Sequence, residues 1–256
     1  MIDPHALVSP QAKLAADVTV GPFSVIGPHV EIGARTIVGP HVVINGPTKI
    51  GADNRIFQFA SIGDAPQDKK YNGEPTRLEI GDRNVFRESC TINRGTAQGH
   101  GVTRIGDDNL FMAYSHVAHD CIIGSKAVFA NCAALAGHVE IGDWVSLGGL
   151  TAVHQYVKIG AHAFLAGGAI VQRDVPPYVM VAGNPAEPRM VNSEGLKRRG
   201  FDEEQIRQIR EAYRILYRSD LKLADALEKL RPIADTRSEI KAFVDFIDSS
   251  TRSLVR

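Results

Sequence analysis

The feature that most constrains the fold of this chain is an aliphatic residue that returns at every sixth position. A period of six is a multiple of the two-residue period of a β-strand, and it does not fit the helical period of about 3.6 residues. Short strands and tight turns repeated in such units, which we call hexads, stack into a parallel β-helix with aliphatic ladders inside. The repeated positions are Val8, Leu14, Val20, Ile26, Ile32, Val38, Ile44, Ile50, Ile56, Ile62, Ile80, Phe86, Ile92, Ile105, Phe111, Val117, Ile123, Phe129, Leu135, Ile141, Leu147, Val153, Ile159, Leu165 and Val171.

The position two residues before each aliphatic residue is usually small or β-branched, as at Ser24, Thr36 and Ala127. Cys90 and Cys121 fall at this position, so we expect them to fill the core rather than to react. The three cysteines are odd in number and lack a CxxC spacing, which argues against a disulfide framework and a thiolate zinc site. Cysteines without a disulfide pattern are typical of proteins in a reducing cytoplasm.

Two polar segments interrupt the repeat, near 64–79 and near 94–104, and the second shifts its phase by one residue. A solenoid accommodates insertions as loops on one face, and that face is often the binding face. The repeat fades after residues 175–177, and residues 183–186 are typical of a turn. We therefore predict a β-helical domain over 1–190 with these two loop insertions.

The composition of residues 191–256 is charged and helical in pattern. Asp202 followed by Gln205 is typical of a capping box at a helix start. Ile206, Ile209 and Leu216 then follow helical spacing, and two further amphipathic stretches cover 221–230 and 240–246. These patterns predict an α-helical C-terminal domain over 191–256.

Charge and hydropathy exclude several classes of function. Lys and Arg together number 29, as do Asp and Glu, so no overall field favours nucleic acid. No apolar run approaches the ~20 residues of a membrane span. The first residues lack a basic segment followed by an apolar one, so we expect no secretory leader. A cytoplasmic protein is predicted.

A histidine pair, His116 and His119, with Asp120 after it, is the strongest candidate for chemistry. An imidazole beside a carboxylate can act as a general base. The pair could instead contribute to a zinc site completed by a histidine from a neighbouring chain, or lie on the surface without a role. If three hexads form one coil, Gly137 and Gln155 stack one and two coils along from His119. Spacing alone leaves all three interpretations open.

Several motifs together resemble one family across essentially the whole chain. They are Tyr71-Asn-Gly-Glu-Pro-Thr-Arg77, His116-Val-Ala-His-Asp120, Leu135-Ala-Gly-His138, Thr151-Ala-Val-His-Gln155 and Asn192-Ser-Glu-Gly-Leu-Lys-Arg-Arg-Gly200. The chain resembles the UDP-N-acetylglucosamine O-acyltransferases, which catalyse the first step of lipid A synthesis. The resemblance implies a left-handed β-helix in a homotrimer, with active sites between adjacent chains.

The resemblance also implies roles for individual residues. His119 would take the proton from the sugar 3-hydroxyl, oriented by Asp120, and the Gly137 N–H would stabilise the oxyanion. The acyl donor would be an (R)-3-hydroxyacyl group on acyl carrier protein, with no metal and no separate cofactor. Gly167 matches the position that sets acyl length, and glycine there implies about fourteen carbons, since it leaves the pocket open. Substrate-binding positions are Asp68 and Lys70 on a neighbouring chain's loop, His116, His138, His154 and Gln155 at the sugar and acyl pocket, and Asn192, Glu194, Arg198 and Arg199 at the nucleotide.

Asn93 and Lys69 depart from the common family pattern, in which a histidine and an apolar residue are frequent. The 3-amino analogue of the sugar is therefore an alternative acceptor. A metal-dependent hydratase on the same fold and a non-catalytic scaffold are alternatives of other classes. A related N-acyltransferase is a weaker match, because it has an N-terminal uridine-binding domain, whereas the repeats here begin at Val8.

Overall fold

The computed structural model describes residues 1–256, and its strands wind into a parallel β-helix with three faces. Sheet 1 contains β1 (Leu7–Val8), β4 (Val25–Ile26), β7 (Val43–Ile44), β10 (Ser61–Asp64), β13 (Thr91–Asn93), β16 (His116–Val117), β19 (Ala134–Leu135), β22 (Ala152–Val153) and β25 (Ile170–Val171). Sheet 2 contains β2 (Lys13–Leu14), β5 (Val30–Ile32), β8 (Thr48–Ile50), β11 (Arg77–Ile80), β14 (Val102–Ile105), β17 (Ile122–Ile123), β20 (Glu140–Ile141) and β23 (Lys158–Ile159). Sheet 3 contains β3 (Thr19–Val20), β6 (Ile37–Val38), β9 (Arg55–Ile56), β12 (Val85–Phe86), β15 (Leu110–Phe111), β18 (Val128–Phe129), β21 (Ser146–Leu147), β24 (Phe164–Leu165), β26 (Val179–Ala182) and β27 (Glu187–Val191).

The register of the strands confirms the predicted coil length. His116 pairs with Ala134, and Ala134 pairs with Ala152, so one coil contains three hexads. All the predicted aliphatic positions except Val8 and Leu14 are buried in one hydrophobic core. The core is closed on every side by short strands, which explains why a repeat of small units can bury it.

Cys90 and Cys121 are fully buried, as expected of core residues. Burial raises the pKa of the Cys90 thiol to about 11 and that of Cys121 to about 12. Both thiols are therefore protonated and unreactive at neutral pH. Cys132 is exposed, and all three cysteines are free.

Each coil turns at three corners, which we name by the sheets they join. The first corner joins sheets 1 and 2, the second joins sheets 2 and 3, and the third joins sheets 3 and 1. The regular turns place a non-glycine residue at positive φ, for example Asp120 at 59°, His138 at 63° and Tyr156 at 64°. Because the turns have one shape, side chains at equivalent positions of successive coils stack along the axis.

The two insertions form loops at the first corner. One follows β10 and the other follows β13. Asn93 donates from Nδ2 to Ala65 O at 3.1 Å, and Arg94 donates to the Tyr71 hydroxyl at 3.2 Å. Asn93 is buried, so this departure from the family pattern fastens one loop to the next instead of facing solvent. Lys69 is exposed on the first loop.

Two strands follow the point at which the repeat fades, residues 175–177. β26 continues sheet 3, and β27 returns antiparallel to it. The predicted turn at 183–186 joins these two strands. The hexad pattern does not extend to β27, because an antiparallel strand does not continue the period.

Four helices follow: α1 (Ser193–Arg198), α2 (Glu203–Tyr217), α3 (Leu223–Ala234) and α4 (Ser238–Ser249). The predicted capping box is confirmed, since Gln205 N donates to the Asp202 side chain and Asp202 N to the Gln205 side chain. The apolar faces of these helices pack on the same core as the β-helix. None of the helices is long and apolar enough to cross a membrane.

Candidate active site

His119 and Asp120 form a closely bonded pair at the first corner. His119 Nδ1 lies 2.8 Å from Asp120 Oδ2, and no other hydrogen bond is made by the imidazole. The carboxylate is fully buried, whereas 14% of the imidazole is exposed. Because a carboxylate can only accept, the proton lies on Nδ1, and Nε2 keeps its free lone pair.

The loop that follows β13 holds the Asp120 carboxylate. Thr96 donates to it from its backbone N–H at 3.0 Å and from its hydroxyl at 2.6 Å, and His100 N donates at 2.9 Å. Burial by itself raises the pKa of Asp120, but the hydrogen bonds from His119 and Thr96 outweigh it and lower that pKa to about 2. Asp120 is therefore ionised at neutral pH and fixes the tautomer of His119.

Gly137 lies one coil along from His119, as the hexad spacing predicted. A Cβ on Gly137 would lie 2.5 Å from His119 Cε1 and 2.7 Å from Nε2. The space beside the Gly137 Cα is therefore occupied by the imidazole ring. The Gly137 N–H donates to no protein acceptor, whereas its carbonyl accepts from Tyr156 N. The N–H is therefore available to a ligand.

His138 lies beside this pair in the same chain. Its ring centroid is 5.0 Å from that of His119 in an edge-on arrangement, and its Nε2 is 3.9 Å from Asp120 Oδ2. Tyr156, one coil further, stacks on His138 at 4.4 Å with an angle of 7° between the rings. Burial lowers the pKa of His138, and the negative charges of Asp120 and Asp68 oppose that effect. His138 therefore favours its neutral form.

Asp68 and Lys70 lie on the loop after β10, at the same corner as His119. Asp68 accepts from Lys70 N through its side chain, which stabilises a turn in this loop. The charge of Asp68 acts on His138 within one chain. The loop therefore borders the His119 corner of its own chain.

His116 lies on the outward face of β16. It is not part of the cluster that His119 forms with Asp120 and His138. Its Nδ1 is 2.7 Å from the Thr91 hydroxyl, one coil earlier. Burial lowers the pKa of His116. The neighbours that follow it along sheet 1 are Ala134 and Ala152, which both carry small side chains.

His154 and Gln155 are exposed at the first corner, two coils along from His119 and Asp120. The Gln155 carbonyl accepts from Arg252 Nη1 at 2.6 Å. Arg252 belongs to the C-terminal segment, in which Val255 N donates to the carbonyl of the buried Asp174. The last residues of the chain thus fix the upper end of this corner.

Asn192, Glu194, Arg198 and Arg199 lie together, but near the second corner instead of the first. They line a depression of about 300 Å³. Asn192 caps α1 by accepting from Gly195 N, and its Nδ2 donates to His162 O at 2.9 Å. Arg199 approaches His162, Nη1 to Nδ1 at 3.3 Å. The nucleotide set predicted from the sequence is therefore one cluster, separated by a sheet from the His119 corner of the same chain.

Gly167 lies at the third corner, and a Cβ there would meet only backbone atoms of Gly149, at 3.4 Å or beyond. The side of the β-helix is therefore smooth at this point, and a side chain larger than methyl would project from it. Such a surface can accept an extended hydrocarbon chain.

Sequence reasoning missed Thr96 and His100, which hold Asp120, and Tyr156, which stacks on His138. Tyr156 lies one coil after His138, so the coil length contained the signal for it. Thr96 and His100 lie in an insertion, where the repeat gives no register. These two residues reach Asp120 only because the loop folds back over it in the tertiary structure.

The donor atoms of His119, Asp120 and His138 lie within 4.8 Å of one another, a spacing that could suit a metal ion. This set differs from the predicted pair of His116 and His119. Asp120 Oδ2 already accepts from His119 and from the Thr96 hydroxyl, and Oδ1 accepts from His100 N. The carboxylate is thus fully used as an acceptor of hydrogen bonds, so its environment suits proton transfer at His119 better than ligation of a metal.

Comparisons with known proteins agree with this geometry. A model of bacterial transferase hexapeptide repeats matches residues 11–46 and 103–137. A model described as UDP-N-acetylglucosamine O-acyltransferase, domain 2, matches residues 174–255. The fold and the site thus define a hexapeptide-repeat transferase with a helical C-terminus.

Relatives over the full length narrow this class to a family. The acyl-[acyl-carrier-protein]–UDP-N-acetylglucosamine O-acyltransferase of Thiobacillus denitrificans is 58% identical over 100% of this chain and 99% of its own. The UDP-N-acetylglucosamine acyltransferase structures of Francisella novicida and Moraxella catarrhalis are each 44% identical, with TM-scores of 0.98, and cover 100% of this chain and 94% and 99% of their own. The chain belongs to the acyl-[acyl-carrier-protein]–UDP-N-acetylglucosamine O-acyltransferase family and is an acyltransferase. The predicted left-handed β-helix with helical C-terminus is confirmed.

Proposed function

We propose that this chain transfers an (R)-3-hydroxyacyl group from acyl carrier protein to the 3-hydroxyl of UDP-N-acetylglucosamine, in lipid A synthesis. The observation that supports this most directly is the free Nε2 of His119, with its Nδ1 bonded to an ionised and buried Asp120. That arrangement is the one a general base needs, since the carboxylate fixes the tautomer and stabilises the imidazolium that forms.

In the proposed reaction, His119 Nε2 takes the proton of the sugar 3-hydroxyl as its oxygen attacks the thioester carbon. The carbonyl oxygen becomes negative in the tetrahedral intermediate and accepts a hydrogen bond from the Gly137 N–H. The carbon–sulfur bond then breaks, and the thiolate of the carrier's phosphopantetheine takes the proton from the imidazolium. The products are an ester and a thiol, so the transfer balances without a separate cofactor.

The protein is proposed to act as a homotrimer. The third corner exposes large apolar side chains at positions along the axis, Phe23, Phe59, Tyr114 and Leu150. A line of apolar side chains on a stiff surface favours burial against another chain. The His119 corner and the Asn192 depression face different sides of one chain, so one nucleotide-sugar would need two adjacent chains to reach both. Sedimentation analysis tests this, and a monomer would contradict it.

Asp68, Lys70, His116, His138, His154 and Gln155 are proposed to contact the sugar and the acyl donor, and Asn192, Glu194, Arg198 and Arg199 the nucleotide. Gly167 is proposed to admit an acyl chain of about fourteen carbons, because glycine presents no side chain at this position of the third corner. The reaction is proposed to occur in the cytoplasm, where free thiols such as the exposed Cys132 remain reduced.

The decisive experiment offers purified protein both UDP-N-acetylglucosamine and its 3-amino analogue, with acyl carrier protein bearing ten-carbon and fourteen-carbon 3-hydroxyacyl chains. Mass spectrometry is expected to show the ester with the fourteen-carbon chain. His119→Ala should lower kcat by at least about 100-fold, because a positioned general base contributes this much or more. His29→Ala, at an exposed turn, is the matched control and should keep full activity.

Product from the amino sugar alone would identify an N-acyltransferase instead. An unchanged kcat in His119→Ala, with the oligomer intact, would refute the proposed role of this residue. A requirement for stoichiometric zinc would favour the hydratase alternative.

A further inference from the structure

A stack of side chains at the second corner lies next to the nucleotide depression. Lys126, Trp144, His162 and Tyr178 occupy the positive-φ position of successive coils. The Lys126 ammonium lies 4.6 Å from the centroid of the Trp144 ring. The rings of Trp144 and His162 are nearly parallel, 6.3 Å apart at an angle of 11°. The regular coil therefore presents a flat aromatic face at the edge of the depression.

Arg199 lies against this face. Its Cζ is 5.2 Å from the Trp144 centroid, Nη1 is 3.3 Å from His162 Nδ1, and Nη2 is 3.5 Å from the Ser146 hydroxyl. Every contact that holds the guanidinium is neutral or aromatic, since no Asp or Glu forms an ion pair with it. Burial lowers the pKa of Arg199, which reflects the partial loss of its hydration. A partly desolvated cation without a counter-charge gains free energy when an anion binds.

The protonation state of His162 decides whether it can hold Arg199. Burial, with the nearby positive charge of Arg199, lowers the pKa of His162 to about 4. The imidazole is therefore neutral at physiological pH, and its Nδ1 can accept a hydrogen bond from the guanidinium. Asn192 links the same turn to α1 through His162 O, so the helix and the corner cannot shift independently.

We propose that Trp144 and His162 are positioning residues that hold the Arg199 guanidinium at the rim of the Asn192 depression, oriented for a phosphate of the nucleotide substrate. The inference rests on the proposed function, which assigns Arg199 to the nucleotide. The affinity for phosphate would then depend on Trp144 and His162, although neither side chain touches the phosphate. The contacts that Arg199 makes with Trp144 and His162 leave part of the guanidinium edge for the anion.

The chain contains a single tryptophan, so its fluorescence reports on this site alone. Titration of the intact protein with uridine diphosphate is expected to change the Trp144 emission with the same dissociation constant that calorimetry gives. Uridine, which lacks phosphate, should leave the emission unchanged. If calorimetry shows binding of uridine diphosphate while the emission stays constant, Trp144 does not respond to the bound phosphate and the proposal is refuted.

Substitutions separate a positioning role from a merely structural one. Trp144→Leu and His162→Leu should each weaken uridine diphosphate binding about tenfold, the size of a cation–π contact or a hydrogen bond to a charged group. The KM for the nucleotide-sugar should rise equally, with kcat and the KM for the acyl carrier within about twofold. Trp144→Phe and His162→Gln should restore most of the affinity, since they keep the ring face and an acceptor.

Arg199→Ala is the reference variant, and its loss should not add to that of Trp144→Leu in a double mutant, because both remove the same interaction. Arg35→Ala is the control, because Arg35 lies at the same corner but pairs with Asp53. If Arg199→Ala loses affinity while Trp144→Leu and His162→Leu bind as the wild type does, this inference fails and the proposed function stands. If Arg199→Ala also binds normally, the assignment of Arg199 to the nucleotide fails as well.

Discussion

Replacing Gly137 with alanine tests the geometry of the site most directly. The added Cβ would lie 2.5 Å from His119 Cε1 and 2.7 Å from Nε2. Carbon atoms in contact prefer about 3.5–4.0 Å, so the methyl group overlaps the imidazole by about 1 Å. Because the stacked coils fix the backbone at Gly137, the His119 ring must move. We expect the ring to rotate away and to lose its 2.8 Å bond with Asp120.

The overlap affects both stability and turnover. Forcing a methyl group into a filled space costs about 1–3 kcal/mol of unfolding free energy. A displacement of about 1 Å at a catalytic group lowers turnover by roughly 100-fold. Gly137→Ala should therefore lower kcat by about 100-fold or more, with a smaller change in the KM of either substrate.

Mass-spectrometric initial rates measure kcat, and urea unfolding measures the stability of the variant. Gly149→Ala is the stability control, because its Cβ would come no closer than 3.4 Å to Asn131 O. That variant should unfold at the wild-type urea concentration. Turnover within threefold of wild type in Gly137→Ala, with unchanged unfolding, would show that the imidazole does not occupy this space during catalysis.

Three further predictions follow from the same structure. Asp120→Asn should lower kcat by at least about 100-fold, because an amide cannot stabilise the imidazolium. Initial rates measure this loss, and an unchanged thermal unfolding curve shows that the variant is folded. The pKa of His162 is lowered from 6.5 to about 4, so its neutral form stabilises the fold fully above pH 6.5, and this contribution is lost as the pH falls toward 4. His162→Gln should therefore flatten this part of a plot of unfolding free energy against pH. An unchanged slope would contradict the lowered pKa of His162. Gly167→Met should shift the preferred acyl chain from fourteen carbons toward ten, measured by competition between the two carriers; an unaltered preference would remove Gly167 as the determinant.

The repeat makes much of the site predictable from the sequence alone. Aliphatic residues at every sixth position placed the core, and three hexads per coil placed Gly137 next to His119. These predictions succeeded because a solenoid turns spacing in sequence directly into distance along its axis. The same coil length places Tyr156 on His138, one coil further along the axis.

The repeat failed where the chain leaves it. Thr96 holds Asp120, but it lies in an insertion whose length breaks the register. Arg199 lies beyond the last coil, so no spacing relates it to Trp144. The returning strand β27 was missed for the same reason, since an antiparallel strand does not continue the period.

The sequence by itself determined the β-helix, its coil length, the buried ladders and the pairing of a histidine with an aspartate. The tertiary structure decided which atoms meet: that Asp120 is buried and ionised, that the His119 ring occupies the space above Gly137, and that an arginine without a carboxylate partner rests on Trp144. The physical reason is that a periodic pattern fixes positions along one axis, whereas charge, burial and contact depend on loops and helices that fold back across it. Those long-range contacts follow no period, and they give the His119 imidazole a bonded Nδ1 and a free Nε2.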